Sequence, residues 1–165
     1  MLRGIPLIDA HVHAARIPTL KESWKDWAAR YGSPSMKELY DREGTLVPER
    51  FDRYMEEEGV DVAVLFCEYS PKATGIQPIE DLFPILEHNP ERFLPMANLN
   101  PHYHYPPVAE LKRQLSFGAV GLKLHPVHGG FAPNDRMLYP VYAFCEAEGV
   151  PVVFHCGTSV FPGST

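Results

Sequence analysis

Two histidines separated by one residue close the first apolar run of the chain, Ile8-Asp9-Ala10-His11-Val12-His13. In an extended strand that spacing puts both imidazoles on one face. If that face turns into a closed barrel of parallel strands, the strand end delivers two nitrogen ligands to the mouth, where such barrels keep their active sites. A second apolar run, Pro151-Val152-Val153-Phe154-His155, also ends in histidine and is followed by the tight Gly157-Thr158. Three histidines from two strand ends suit a zinc-like ion with a coordination position left for a water or a carboxylate. Such an ion lowers the pKa of bound water toward about 7 and polarises carbonyl groups, so the chemistry within reach is water activation or Lewis-acid activation of a carboxylate.

A third run, Gly121-Leu122-Lys123-Leu124-His125-Pro126, puts Lys123 and His125 on a common face by the same alternation. An ammonium inside a packed barrel needs a partner. Lys123 could bind a substrate carboxylate, form a carbamylated metal bridge, or make a salt bridge within the barrel, and the sequence leaves these open. Lys123 and His125 are the candidates for direct roles in the chemistry, with His128 and Lys123 as candidate substrate contacts. Asp9 shares the face of His11 and His13, as the partner of a ligand histidine or as a satisfied polar residue at the strand. A second histidine pair, His102-Tyr103-His104, sits between Asn100-Pro101 and Pro106-Pro107, and proline flanks argue for a loop instead of a strand end. Cys156 beside His155 has no base placed for it beyond that neighbour, which favours a structural thiol over a nucleophile.

The elements that must hold these residues follow one pattern: an apolar run, an amphipathic stretch closed by a turn signal, and another apolar run. Strands are predicted at Ile5–Ala10, Val60–Phe66, Arg92–Asn98, Ala119–Leu124 and Val150–His155. Helical patterns lie between them: Phe51, Tyr54 and Met55 before Gly59; Leu82, Ile85 and Leu86 before Asn89-Pro90; Val108, Leu111 and Leu115 before Gly118; Val141, Phe144 and Cys145 before Gly149. Strands alternating with helices imply right-handed crossovers and a parallel sheet covered on both faces, and the continuous apolar strands agree. Residues from about 14 to 47 form an over-long connection read as a lid. Within it Thr19 and Glu22 have capping-box spacing, Leu20, Trp24, Trp27, Ala28 and Tyr31 share a helix face, and Gly32 stops it. The aromatic residues of this helix, with Tyr40, are expected to pack the lid onto the barrel. Gly129-Gly130 reads as a flexible loop, and the absence of a following Gly-Lys-Ser/Thr argues against a phosphate-binding loop.

Composition narrows the partners. Fifteen Lys and Arg against 21 Asp and Glu leave a net charge of −6 with no basic run, which argues against nucleic acid and anionic membrane and for a small-molecule substrate. Cys67, Cys145 and Cys156 form no paired motif, and each lies in or beside an apolar run where a buried reduced thiol is expected. No run approaches the length of a membrane span and no secretory leader is read at the N-terminus, so a cytoplasmic location is expected.

Taken together, Ile8–His13, Gly121–Pro126 and Val152–Ser159 resemble the amidohydrolase superfamily, in particular the branch around aminocarboxymuconate-semialdehyde decarboxylase and related hydrolases and decarboxylases. The resemblance implies a (β/α)8 barrel of the TIM type, an α/β fold. It makes residues 1–165 the N-terminal portion of one such domain, with about five strands and four crossover helices. It matches His11, His13 and His155 to metal ligands for one divalent ion, zinc or in some members manganese. The implied activity is hydrolysis or nonoxidative decarboxylation of a small carboxylated or aromatic substrate, through a metal-activated water or a metal-bound carboxylate. The family also expects an acid/base histidine on the sixth strand and a ligand aspartate on the eighth, beyond the 165 residues, so a complementing C-terminal half or self-association of the half-barrel is expected. Two other readings remain from the sequence: a catalytically incomplete half-barrel acting as a subunit or scaffold, and a metal-independent lactonase-like hydrolase whose histidines bind substrate.

Overall fold

The computed structural model describes residues 4–165. Five strands form one parallel sheet: β1 (Ile8–Val12), β2 (Val62–Phe66), β5 (Phe93–Leu99), β6 (Leu122–Leu124) and β7 (Val152–Phe154), hydrogen-bonded in that order. Each neighbouring pair is joined through a helix: α2 (Pro48–Glu57), α3 (Phe83–His88), α4 (Pro107–Ser116) and α6 (Tyr139–Glu148). The sheet curls into a half-barrel with these helices on its outer face. Among the described residues no helix is long and apolar enough to cross a membrane.

Alternation sorts the side chains. Ala63, Leu65, Ala97, Leu99, Leu122 and Leu124 turn outward and are buried beneath the helices. The Phe93 ring stacks on Phe51 of α2 at 5.2 Å. Inward-facing positions run through Phe66, Met96, Asn98 and Lys123, by register with one another across β2, β5 and β6. Helix boundaries follow local chemistry: Pro48 and Pro107 open α2 and α4, where a missing N–H removes nothing. Gly149, at φ +67°, ends α6 in the left-handed conformation that favours glycine.

Several sequence expectations need correction. The first strand is Ile8–Val12, later than Ile5–Ala10, so His11 lies within it. Asp61 explains the offset, because its carboxylate accepts the Leu7 N–H while its own N–H donates to the Leu7 carbonyl, leaving ladder pairing to begin at Ile8. A hairpin of β3 (Glu68–Ser70) and β4 (Gly75–Gln77), absent from the sequence reading, follows β2 directly. The 126–130 stretch is not a flexible loop: Pro126–Gly129 forms a short helical turn, α5, with His128 buried.

The lid contains α1 (Glu22–Tyr31) as expected, but its cap differs. Lys21 is the N-cap residue and offers no side-chain acceptor, while the Thr19 hydroxyl donates back to the Arg16 carbonyl. None of the α1 residues is buried. The lid is instead stitched by its backbone to the hairpin: Lys21 N–H donates to Thr74 O at 2.8 Å, and Gln77 Nε2 to Ala14 O at 2.6 Å. Gly75, at φ +130°, permits this contact, since a Cβ there would strike the Thr19 carbonyl.

Candidate active site

The C-terminal ends of the strands gather five histidines. On β1 and just beyond it, the Nε2 atoms of His11 and His13 approach within 3.2 Å. Both rings lie against Phe66 of β2, with centroid distances of 4.5 and 5.8 Å. His125 sits 6.4 Å from His13 and 6.0 Å from His155 by ring centroid, and His128 is 4.3 Å from His155. Phe161, near the C-terminus, packs edge-on against both His128 and Trp27, so an aromatic contact links α1 to this cluster.

The centre of the cluster is a satisfied polar network. Asn98, on β5, accepts the Tyr69 N–H at Oδ1 and donates from Nδ2 to the Lys123 carbonyl (2.7 Å) and His125 Nδ1 (3.0 Å). Glu68 accepts the Thr74 hydroxyl at 2.5 Å and pairs with His128 Nδ1 at 2.8 Å. Burial pushes the Glu68 carboxyl up, but hydrogen bonds from His128 and Thr74, with His125 nearby, outweigh it and bring it down to about 2. Gln114 of α4 accepts the Asn98 N–H and donates to its carbonyl, holding the strand end.

Lys123 is 1% exposed, and its ammonium lies 4.5 Å from the Phe66 ring centroid. No hydrogen bond or salt bridge to its Nζ occurs among the described residues. Burial lowers its pKa, with Glu68 opposing. Desolvation likewise holds the buried His125 down to about 3, so this imidazole is neutral near pH 7, and lowers His13, whose side chain is open to solvent. His11 and His155 are lowered by the same cause, the second with help from His128. Neutral imidazoles with free lone pairs are the form a metal requires.

The donor set fits a divalent ion in part. His11 and His13 converge, and His155 Nε2 is buried without a hydrogen-bond partner. Among the described residues, however, no three such groups stand close enough together to hold an ion. The remaining expectations divide. Asp9 accepts the His11 backbone N–H and is thus a satisfied strand residue. His102 pairs with the Gly130 carbonyl and His104 with the Asn100 N–H, so the second histidine pair does not converge. Cys67 and Cys145 are buried as expected, whereas Cys156 is exposed, because the chain leaves the sheet after Phe154. Asn98, Glu68 and Thr74 were missed. A polar residue at the inward parity of each apolar run, Met96-Ala97-Asn98 and Phe66-Cys67-Glu68, is the signal that could have found the first two.

Parallel strands alternating with helices, with polar groups collected at the C-terminal strand ends, define an α/β-barrel architecture with its site at the mouth. The family model for amidohydrolases matches residues 8–165, and the chain belongs to that family. No curated protein matches it. Among solved structures it is similar to an uncharacterised TIM-barrel protein from Bordetella bronchiseptica (21% identity, TM-score 0.72, 94% of this chain and 57% of that one). It is also similar to a 2,6-dihydroxybenzoate decarboxylase from Rhizobium (17%, 0.58, 94% and 51%). A third is a probable 2-pyrone-4,6-dicarboxylic acid hydrolase from Acinetobacter baumannii with citric acid bound (20%, 0.58, 92% and 50%). The chain therefore spans about half the length of the barrels whose fold it shares.

Proposed function

We propose that this chain carries the substrate-binding and first metal-binding part of an amidohydrolase-type hydrolase or carboxy-lyase acting on a small carboxylated substrate. The observation that carries the reading is the convergence of the His11 and His13 Nε2 atoms at the β1 end, facing Phe66 and Lys123. His11, His13 and His155 would hold one divalent ion, with zinc the best match to an all-nitrogen set and manganese the alternative. When bound, such an ion supplies a Lewis acid for a substrate carbonyl or carboxylate. Lys123 supplies the charge complement: a buried ammonium with no carboxylate in contact gains most from a substrate anion, because its desolvation has already occurred. Phe66, 1% exposed, packs beneath Lys123, His11 and His13 and fixes their positions relative to one another. The activities named for the similar structures, a decarboxylase and a probable dicarboxylic acid hydrolase, support a carboxylated substrate and leave both reaction types open.

The test is metal content by inductively coupled plasma mass spectrometry on chain purified without chelators or a metal-binding tag. About one zinc or manganese per chain is expected, falling by at least about tenfold in His11→Ala and His155→Ala, as loss of a direct ligand implies. Metal retained in both variants would refute the ligand assignment.

A further inference from the structure

His125 and His128 stand three residues apart on one turn, with rings nearly parallel (5°) and centroids 5.9 Å apart. They are 3% and 7% exposed. Each spends Nδ1 on a single partner, and neither Nε2 makes a hydrogen bond within the described chain. The partners are of opposite kinds, and that difference fixes where each proton sits.

The Asn98 orientation is determined by its other bonds. Its Oδ1 faces the Tyr69 N–H, which can only donate, and its NH2 faces the Lys123 carbonyl, which can only accept. The same NH2 reaches His125 Nδ1, so that nitrogen must accept, and in a neutral ring the proton then lies on Nε2. For His128 the partner is the Glu68 carboxylate, held ionised by its hydrogen bonds, so Nδ1 must donate, and in a neutral ring Nε2 then keeps its lone pair.

We propose that Asn98 and Glu68 are positioning residues that set His125 and His128 in opposite tautomers, leaving one Nε2–H donor and one Nε2 acceptor on the same turn. A donor and an acceptor side by side on stacked rings present a matched pair to a ligand that can both accept and donate. A hydroxyl or a protonated acid has the matching chemistry: it accepts from His125 and donates to His128. This also separates His125 from the metal ligands, since its Nε2 carries hydrogen and its Nδ1 is taken. The roles toward substrate rest on the proposed active-site reading; the proton positions do not.

Long-range nitrogen–proton correlation spectra of the metal-free 15N-labelled chain, at mildly alkaline pH, read each tautomer directly. His125 and His128 are assigned by signal loss in His125→Asn and His128→Asn. The expected pattern is a protonated Nε2 on His125 and a protonated Nδ1 on His128. In Asn98→Asp the carboxylate can only accept, so the His125 proton should move to Nδ1. Glu68→Gln retains an acceptor oxygen and should leave His128 unchanged, whereas Glu68→Leu should release its proton to a mixture of both nitrogens. The same tautomer on both wild-type rings, or a His125 Nε2–H that persists in Asn98→Asp, overturns the proposal. The wild-type spectrum is decisive even where a variant fails to fold, and metal loss in His11→Ala leaves it unmoved.

Discussion

The three inner strands and the two outer ones are built to different standards. On β2, β5 and β6, the outward residues Ala63, Leu65, Ala97, Leu99, Leu122 and Leu124 are at most 1% exposed, and the inward Asn98 and Lys123 are each 1% exposed. On β1 and β7, Ile8 is 58% and Val153 38% exposed. Each outer strand has one hydrogen-bonded neighbour in the described sheet; each inner strand has two. The division runs through the site as well. Lys123, His125, His128, Asn98 and Glu68 form a connected, buried centre, while the three candidate ligands come from the two outer strands, His11 and His13 from one and His155 from the other. The centre is preorganised by its own hydrogen bonds. The ligands depend on how the outer strands are held.

Truncating one apolar side chain in each region should expose this difference most strongly. Leu65→Ala removes a fully buried side chain between β2 and its helices, and a cost of about 3 kcal/mol is expected from the transfer and cavity terms. Ile8→Ala removes a mostly exposed one and should cost under about 1 kcal/mol. Urea denaturation followed by circular dichroism measures both. Comparable losses would mean that β1 is covered in solution by something other than the described chain.

The buried carboxylate gives the next largest effect. Glu68→Leu leaves the Thr74 hydroxyl and His128 Nδ1–H without an acceptor, and about 2 kcal/mol should be lost, the range for unsatisfied buried groups. His11→Ala, at the open strand end, should change stability by under about 0.5 kcal/mol while abolishing metal uptake. A Glu68→Leu chain as stable as wild type would show that the central network is decorative.

The same division decides what could be read in advance. Five strands and their crossover helices were legible because parallel strands buried on both faces are continuous apolar runs, Val62–Phe66 and Phe93–Leu99 among them. The hairpin was not, since its strands are three residues long and polar, Glu-Tyr-Ser against Gly-Ile-Gln, and owe their form to tertiary contacts with the lid and β5. The candidate ligands were legible because two-residue spacing at a strand end is a local pattern. Lys123 stood out as a charge inside an apolar run. Asn98 and Glu68 stayed hidden because their meaning lies in partners 27 and 60 residues away, His125 and His128, which no local pattern connects.

A pH dependence seated in the centre tests the contrast without removing a side chain. The pKa of His125 in the folded chain, about 3, lies below the ordinary histidine value of 6.5. Between these values the unfolded state binds more protons than the folded state, so stability rises with pH across that window. It is fully present above about pH 6.5 and is lost as pH falls toward 3. Depression of the His13 and His155 values acts in the same direction, whereas Glu68, lowered to about 2, withholds its own loss until pH drops below its ordinary value near 4.5. Moving from pH 7 to pH 5 should therefore cost the metal-free chain at most about 2 kcal/mol through His125, since one pKa unit is about 1.4 kcal/mol. Urea midpoints at the two pH values measure it. The slope should flatten more in His125→Gln than in His11→Gln, because His125 is buried within the network and His11 stands at the open end of β1. An equal flattening in both would mean that the open strand end is as desolvated as the centre, and the contrast between the two regions would fail at the site itself.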